Sequence, residues 1–571
     1  MRWYLALCGL FMLVFSLCAL AGPGRIDIAD GQTRYAVACS LLEHGDSIVR
    51  DNSAWMDVFI GRNGEHYAWY RLPQSLLGIP AILAADATAA PEVRSTPDRR
   101  EMRRQFFFSL TSPFCGAVLA VCYAVWFRQL GCPVRASMLW AFAGIVCTPS
   151  WYYSTSSFDD ILGTAGVVLA VTAACLGRDR APLAGAAVAG LALAWSFNCK
   201  EPLGIFVLPV LAAFYRPNSC GIRRSAPLAI VILLLAGGCA AHFAYEWYKF
   251  PPGTTNPSEQ FTRLYGPIWT ANPLPALAGL TVSASAGVFF YCPTMYLAIR
   301  GWWACMRSSE WMPLKDSAPL FCKLLALACG VFTLFFCFLT FFKGDPAWGP
   351  RYLTPVFAVG WLFVPAAVSR VRDFVFRAVL SLGVIVQLLG LSVDPIRLFF
   401  STPIHFGYYH ENPWLGFNPQ LSHLMQRPRE ITECLQMRDS QLEFSPAPLP
   451  TAADNLNFSQ AIFFAQIIGY SMDPAGREPL HLLTHNQASV QLSMPETYKL
   501  IARNYRVFNS LRPWWISQRT LPAQRRPVNH TAALCFFIGL GLVGVLMIRL
   551  YRKEPASFAY LAPATPPGSG P

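Results

Sequence analysis

The chain has 571 residues, of which 54% are hydrophobic and only 13% are charged. Its mean hydropathy of +0.37 and its repeated long apolar runs exclude an ordinary soluble protein, and runs of this length also exclude the short alternating strands of a porin-like barrel. The formal net charge of +13 is spread over short loops between the apolar runs rather than gathered in one basic patch, so it indicates membrane topology and no nucleic-acid partner.

Apolar runs of about 18 or more residues can cross a hydrocarbon core of about 30 Å as helices. The sequence therefore predicts an all-α integral membrane protein with about twelve transmembrane helices. The first run could also be a cleaved signal peptide, but its length favours a retained helix. We place the helices near 3–22, 106–127, 136–153, 160–176, 182–197, 203–215, 226–246, 276–299, 319–342, 352–369, 374–393 and 531–550.

The basic residues predict one orientation, with the N-terminus in the cytoplasm, because they recur in every second short loop. One group disagrees with this rule, since it precedes the second helix on the side predicted to be outside. It consists of Arg94, Arg99, Arg100, Arg103 and Arg104. We assign 74–90, just before this group, to an interfacial helix rather than a span.

The helices and loops define four regions. Residues 1–395 form a multi-span membrane domain that includes a first extracytoplasmic loop, 23–105, with interfacial helices. Residues 396–530 form a small extracytoplasmic segment of unknown fold, because they combine proline, histidine and aromatic residues with little helical periodicity. Residues 531–550 form the last transmembrane helix, and 551–571 a cytoplasmic tail of disordered composition.

The first loop begins with acidic and basic residues where the chain leaves the membrane. Asp27, Asp30 and Arg34 lie there within eight positions. A carboxylate at a low-dielectric boundary becomes a stronger base for an alcohol, so Asp30 is a candidate general base. Alternatively, Asp30 only caps a helix over Thr33–Leu42.

Two further acids, Asp159 and Asp160, stand in the short outside loop before the fourth predicted helix. They are candidates for the same site, although either could instead cap that helix and complement its dipole. Both readings remain open from the sequence.

Three cations lie next to helix ends on the same predicted side: Lys200, Lys343 and Arg351. Arg351 could hold a phosphate with two parallel hydrogen bonds, and Lys343 could add a point charge. The alternative is that they are interfacial anchors whose charged ends reach water. Under one topology the acids and cations converge on the outer face, which suits a reaction between an anionic lipid-borne group and a hydroxyl acceptor.

Several segments resemble the C-type glycosyltransferase superfamily, which includes lipid-A aminoarabinose transferases and protein O-mannosyltransferases. The similarity covers roughly residues 1–400 and lies in the following segments: Asp30-Gly-Gln-Thr-Arg34-Tyr35, Gly61-Arg-Asn-Gly64, Tyr70-Arg-Leu-Pro73, Thr148-Pro-Ser-Trp-Tyr-Tyr153 through Asp160, Gly279 through Pro293, and Trp348-Gly-Pro-Arg351-Tyr352. Many members carry an acidic pair in the first loop, whereas here Asp30 is followed by Gly31.

The resemblance implies an inverting transfer of a sugar from a polyprenyl-phosphate donor to a lipid, glycan or protein hydroxyl, in the inner membrane of a bacterium. It implies that Asp30 is the catalytic residue, with Asp27, Asp159 and Asp160 as supporting acids. Arg34, Lys343 and Arg351 are the candidates for the donor phosphate. A divalent cation could be bound as well, but the missing acidic partner at Gly31 leaves the metal unknown.

Two other classes remain as alternatives. A transporter or lipid flippase would also have about twelve spans, but it would keep ionisable residues near the midplane and show related halves. A non-catalytic membrane protein could instead present 396–530 to a partner.

Overall fold

The computed structural model describes residues 2–50, 58–215, 222–265, 269–307, 314, 317–340, 342, 344, 347–368, 370–395, 417–419, 422–436, 511–517 and 526–549. Over these residues the chain is almost entirely helical, which confirms the predicted fold class. The two short strands in this part of the chain, β1 (Val58–Ile60) and β2 (His66–Ala68), pair antiparallel with Phe59 opposite Tyr67.

In the first half of the chain, several short helices lie between the first and second spans. The helices of this half are α1 Arg2–Ala21, α2 Ala29–Glu43, α3 Pro73–Ala87, α4 Pro91–Arg94, α5 Pro97–Ser109, α6 Thr111–Gln129, α7 Val134–Val146, α8 Ser150–Tyr153, α9 Asp160–Arg180, α10 Pro182–Cys199, α11 Val207–Phe214 and α12 Ile222–Lys249.

The second half contains shorter pieces between its long helices. They are α13 Pro257–Tyr265, α14 Pro273–Val282, α15 Val288–Tyr291, α16 Met295–Arg307, α17 Ala318–Cys337, α18 Thr354–Trp361, α19 Asp373–Ser392, α20 His423–Gln436, α21 Trp514–Ser517 and α22 His530–Arg549, with 3-10 turns at Glu201–Phe206, Arg351–Leu353 and Val364–Ala367.

Eight helices in the described part of the chain are long and apolar enough to cross a membrane, so the protein is an integral membrane protein. Each of the eight coincides with a predicted span. They are Trp3–Ala21, Arg99–Gln129, Asp160–Arg180, Pro182–Cys199, Ser225–Lys249, Ala318–Cys337, Asp373–Ser392 and His530–Arg549. The total of about twelve stays a prediction, because other apolar helices are shorter.

Three predicted helices were wrong as continuous elements. The segment 136–153 is divided into α7 and α8, 276–299 is divided into α14, α15 and α16, and 352–369 is divided into three short pieces. The break between α15 and α16 follows from Pro293, because a residue before proline avoids the helical region and Cys292 accordingly has φ −137° and ψ 71°. Apolar composition alone does not show such breaks.

Small residues allow the helices that carry the site to approach closely. A Cβ atom on Gly177 of α9 would lie 2.4 Å from the Cα of Gly185 in α10, so this pair fits only as glycines. Gly9 of α1 and Gly544 of α22 face each other in the same way. The first and last helices are therefore neighbours.

The arginine group that breaks the positive-inside rule folds back onto the end of α3. Arg100 and Arg104 both bind the carboxylate of Asp86, and Arg104 also binds Glu43 in α2. Arg103 donates to the backbone oxygens of Ala85 and Thr88. These arginines act as internal ion-pair partners, which explains why they do not follow a rule for free loop charges.

The pairing of Asp86 predicts its contribution to stability. Partial burial alone would raise the pKa of Asp86, but hydrogen bonds from Arg104 and Arg100 outweigh burial and hold it well below its usual value. Asp86→Ala should lower the free energy of unfolding by about 1–3 kcal/mol, because Arg100 loses its carboxylate partner and Arg104 keeps only Glu43. Thermal unfolding in detergent measures this change.

The matched control is Glu92→Ala, which removes an exposed carboxylate in α4 of the same segment. It should change stability by less than about 0.5 kcal/mol. Equal unfolding temperatures for the two variants would contradict the role given to Asp86.

Candidate functional site

The first candidate residues lie on one face of α2, where the chain turns back after α1. Asp30 stands in the first turn of α2 and Arg34 follows four residues later, and both side chains are buried. The N-cap of α2 is Ile28, with no side-chain capping bond, so the alternative that Asp30 caps this helix was wrong. Asp30 instead faces a cation from another part of the chain.

Asp159 and Asp160, at the start of α9, lie close to Arg34 and Lys200. Asp159 is the N-cap residue of α9, but its side chain makes no capping hydrogen bond. Its Oδ2 atom lies 3.0 Å from Nη2 of Arg34, and its Oδ1 atom lies 3.8 Å from Nζ of Lys200. Asp160 accepts a hydrogen bond from Lys200. Both acids therefore bind cations instead of capping their helix.

Lys200 reaches this cluster because α9 and α10 form an antiparallel hairpin. It follows the last residue of α10 and thus lies at the same end as the start of α9. Its Nζ atom lies 4.9 Å from the centre of the Tyr352 ring. At 18% its side chain is more exposed than those of Arg34 and Arg351, at 3% and 6%, so Lys200 is the most accessible cation of the three.

Arg351 connects the two groups of acids. Its Nη1 atom lies 3.7 Å from Oδ2 of Asp30, and its Nε atom lies 3.6 Å from Oδ2 of Asp160. The guanidinium lies 4.1 Å from the centre of the Phe158 ring. A buried side chain in this position is not an anchor at a membrane surface, so that alternative was wrong for Arg351.

A tight turn before Arg351 sets its direction. Gly349 has φ +68°, and a Cβ atom there would lie 2.6 Å from Cγ of Tyr291. Only glycine suits both the backbone conformation and the contact. Lys343, the other predicted phosphate-binding residue, lies outside the described residues.

The six residues form one balanced group, which we call the charge cluster: Asp30, Arg34, Asp159, Asp160, Lys200 and Arg351. Its three cations and three carboxylates come from four separate stretches of chain. Burial of a charge is costly unless an opposite charge accompanies it. The attraction between these opposite charges therefore stabilises the close approach of the four segments.

The missing acidic pair in the first loop has a steric explanation. A Cβ atom on Gly31 would lie 2.7 Å from Cβ of Ser157 and 2.8 Å from Cγ2 of Ile26. A carboxylate-bearing residue at this position would push α2 away from the loop that precedes α9. Gly31 thus permits α2 and the loop before α9 to approach closely enough for Asp30 and Asp159 to belong to one charge cluster.

Asp27 belongs to a neighbouring network and not to these ion pairs. Its Oδ2 atom accepts a hydrogen bond of 2.9 Å from Nη2 of Arg512, and its Oδ1 atom accepts one of 2.8 Å from the backbone N–H of Ser157. Close by, Nη2 of Arg25 lies 3.0 Å from Oδ2 of Asp394. Asp27 therefore holds the chain around the site in place and is not part of the charge cluster.

The described residues contain no set of side chains that could ligate a metal ion. No three side chains of His, Cys, Asp or Glu lie close enough there to hold an ion. The carboxylates of the charge cluster already face arginine or lysine, which compete with a cation. The residues present do not fit the divalent cation that the sequence left open, and no step below uses one.

Sequence reasoning grouped Lys200 with the cations of the outer face but did not assign it to the donor phosphate, and it did not single out Arg512. The helical hairpin that returns Lys200 to Asp160 was visible in the spacing of two predicted spans. Arg512 had no such signal, because it meets Asp27 across 485 positions of sequence. The aromatic partners of the cations, Tyr70 for Arg34 and Phe158 for Arg351, were also missed.

Comparisons with solved structures find several chains of low identity. ArnT from Cupriavidus metallidurans bound to undecaprenyl phosphate has a TM-score of 0.42 and 12% identity, over 94% of this chain and 76% of that one. Archaeal oligosaccharyltransferase AglB from Archaeoglobus fulgidus, in complex with an inhibitory peptide and a dolichol-phosphate, has a TM-score of 0.38 and 11% identity, over 74% and 55%.

An Archaeoglobus fulgidus oligosaccharyltransferase in the apo form has a TM-score of 0.36 and 11% identity, over 86% of this chain and 63% of that one. No protein-family model matches the sequence, and no curated protein matches it significantly. Because the scores and identities are low, the resemblance by itself assigns neither activity nor substrate to this chain.

The charge cluster predicts a pH dependence of stability. Burial alone would raise the pKa of Asp159, but the charges of Arg34, Lys200 and Arg351 outweigh burial and hold it below 3.8. A carboxyl group with a lowered pKa stabilises the folded state above its unfolded value, and this contribution is lost as the pH falls through the folded value. Asp159→Asn should therefore unfold at a lower temperature than wild type near neutral pH.

The difference between the two proteins should begin to shrink as the pH falls below about 5, where the unfolded chain starts to bind a proton at this carboxyl, and should disappear once folded wild-type Asp159 is protonated as well. Thermal unfolding in detergent across this range measures the effect. A difference that stays constant at every pH would contradict the pairing of Asp159 with cations.

Proposed function

We propose that the chain is a membrane glycosyltransferase that moves a sugar from a polyprenyl-phosphate donor to a hydroxyl acceptor on the extracytoplasmic face. The observation that carries the proposal is the charge cluster. It places three cations and three carboxylates together at one end of the helices, beside the exit of α1.

The cations suit the leaving group of such a reaction. When the bond between the anomeric carbon and the phosphate oxygen breaks, the electron pair and the growing negative charge move onto the lipid phosphate. Lys200 is the most accessible cation, and Arg351 lies between Asp30 and Asp160. We assign the phosphate to Lys200 and Arg351, with Lys343 as a further candidate.

The carboxylates suit the acceptor. An alcohol needs to lose its proton as its oxygen bonds to the anomeric carbon, and Asp30 is the base proposed to receive that proton. Attack from the face opposite the phosphate inverts the configuration at this carbon. Asp159 and Asp160 hold Arg34 and Lys200 in position, so they support the reaction without contacting the acceptor.

The location of the charges favours this reaction over transport. The charge cluster is built from helix ends, namely the start of α2, the start of α9 and the residue after α10. A transporter would hold ionisable residues near the middle of its spans. The structures that the chain resembles hold undecaprenyl phosphate and a dolichol-phosphate, which belong to the proposed donor class.

We further propose a bacterial inner membrane as the location, with the charge cluster on the extracytoplasmic side. The acceptor is a lipid, glycan or protein hydroxyl. The membrane domain 1–395, the extracytoplasmic segment 396–530, the last helix 531–550 and the tail 551–571 remain the proposed division of the chain, and most of 396–530 and all of 551–571 lie outside the described residues.

Transfer from a panel of polyprenyl-phosphate sugars, measured with purified protein in lipid, tests the proposal. Asp30→Asn should lower kcat by about 10²- to 10⁴-fold, because the acceptor loses its base. Arg351→Ala should lower kcat by about 10²- to 10³-fold, because the leaving phosphate loses a cation. Both variants need to match wild type in membrane insertion and thermal unfolding.

The matched controls are Asp373→Asn and Arg377→Ala, which alter an exposed ion pair with side chains 74% and 77% exposed. They repeat the same chemical changes away from the charge cluster and should keep wild-type rates. Wild-type rates in Asp30→Asn and Arg351→Ala would contradict the assigned roles. A wild-type protein that transfers sugar from no donor in the panel would contradict the proposed function.

A further inference from the structure

A short C-terminal segment, residues 511–517, lies against the outer end of α1. We call it the docking segment. The indole N–H of Trp514 donates to the backbone oxygen of Ala19 at 3.0 Å, and that of Trp515 donates to the oxygen of Leu20 at 3.0 Å. The backbone N–H of Trp514 donates to the oxygen of Gly22 at 3.0 Å.

The fit between the docking segment and the chain after α1 is close. Gly24 has φ +60°, and a Cβ atom there would lie 2.5 Å from Cβ of Trp514. The Trp514 ring also packs edge-to-face on Phe106, with ring centres 5.6 Å apart. The backbone N–H of Arg512 donates to the oxygen of Ser392 at 2.8 Å, which joins the segment to the end of α19.

The docking segment presents Arg512 to two loops at once. Its Nη1 atom donates to Oγ1 of Thr155 at 2.7 Å, and its Nη2 atom donates to Oδ2 of Asp27 at 2.9 Å. The side chains of Arg512 and Asp27 are 0% and 2% exposed, so water does not compete for these bonds. The guanidinium also lies 4.7 Å from the centre of the Tyr152 ring.

Asp27 also binds Ser156 and Ser157, the two residues that follow Thr155 in the loop before α9. Its Oδ1 atom accepts from the backbone N–H of Ser157 at 2.8 Å and from Oγ of Ser156 at 3.3 Å. Arg512 and Asp27 together therefore hold 155–157 against the chain after α1. The planar guanidinium is suited to this because it donates in two fixed directions, whereas a lysine offers a point charge.

Both loops lead directly to the charge cluster. Asp30 follows Asp27 by three residues, and Asp159 follows Thr155 by four. The distance between the proposed base and the cations thus depends on how these two loops are held together. Reactions between positioned groups are sensitive to displacements of about 1 Å, which can cost about 10²-fold in rate.

We propose that Arg512 is a positioning residue for sugar transfer and that it acts through Asp27. This inference rests on the proposed function. It gives part of the extracytoplasmic segment 396–530 a role in the reaction, because the docking segment fixes the two acid-bearing loops relative to each other. Arg512 itself contacts neither the acceptor nor the donor phosphate.

The test compares Arg512→Ala, Asp27→Asn and the double variant in the transfer assay. Each single variant should lower kcat by about 10- to 100-fold with little change in the donor KM, because Lys200 and Arg351 keep their places. The double variant should be no slower than the slower single variant, because both changes break the same connection. Arg512→Lys should recover part of kcat.

Trp515→Phe serves as the control within the docking segment. It removes one hydrogen bond to Leu20 and leaves the hydrogen bonds between Arg512, Asp27 and Thr155 in place, so its kcat should equal that of wild type. Asp27→Asn nearly preserves the shape of the side chain and carries the test alone if Arg512→Ala does not fold.

Wild-type kcat in Asp27→Asn would overturn the inference, as would independent losses that multiply in the double variant. If these results occur while Asp30→Asn is inactive, the positioning role fails and the proposed function stands. If wild type transfers no sugar, the proposed function fails, and the positioning role fails with it.

Discussion

The arrangement of the helix ends that carry the charge cluster depends on the compensation of buried charge. Asp30, Arg34, Asp160 and Arg351 are each buried, and an isolated ion in such a place would be strongly destabilising. Arg351 lies near both Asp30 and Asp160, and Arg34 lies against Asp159. Because each charge needs the others, the segments that carry them are held in one arrangement.

This constraint links distant parts of the chain. Arg34 and Asp159 are 125 positions apart, and Arg512 and Asp27 are 485 apart. The helices supply the framework, since Gly177 with Gly185 and Gly9 with Gly544 allow their helices to pack closely. The apolar helices are long and hydrophobic enough to cross a membrane. The polar contacts at the helix ends determine how the loops are arranged.

Much of the helical fold could be predicted from the sequence, because a span needs a long apolar run and such runs are visible without partners. The same reasoning failed at 276–299, where Pro293 interrupts the helix inside an apolar run. Asp30, Arg34, Asp159, Asp160 and Arg351 could be selected because polar residues at span ends are conspicuous. Their actual partners could not be selected, since ion pairs across a hundred or more positions leave no local pattern.

The arginines of 94–104 show the same limit. Counting them as loop charges gives a conflict with the predicted topology, whereas in the structure Arg100 and Arg104 bind Asp86 and Arg104 also binds Glu43. Asp27 is the converse case. The sequence grouped it with Asp159 and Asp160 as a supporting acid, yet its carboxylate is occupied by Arg512 and the backbone of Ser157.

The most direct test of the central claim is whether the charge cluster binds a lipid phosphate. Native mass spectrometry can compare binding of undecaprenyl phosphate and of the uncharged alcohol undecaprenol to wild type and to Lys200→Gln. The account predicts that wild type binds the phosphate in preference to the alcohol and that Lys200→Gln loses most of this preference, because Lys200 is the accessible cation of the charge cluster. Equal binding of the two lipids by wild type, or an unchanged preference in Lys200→Gln, would contradict it.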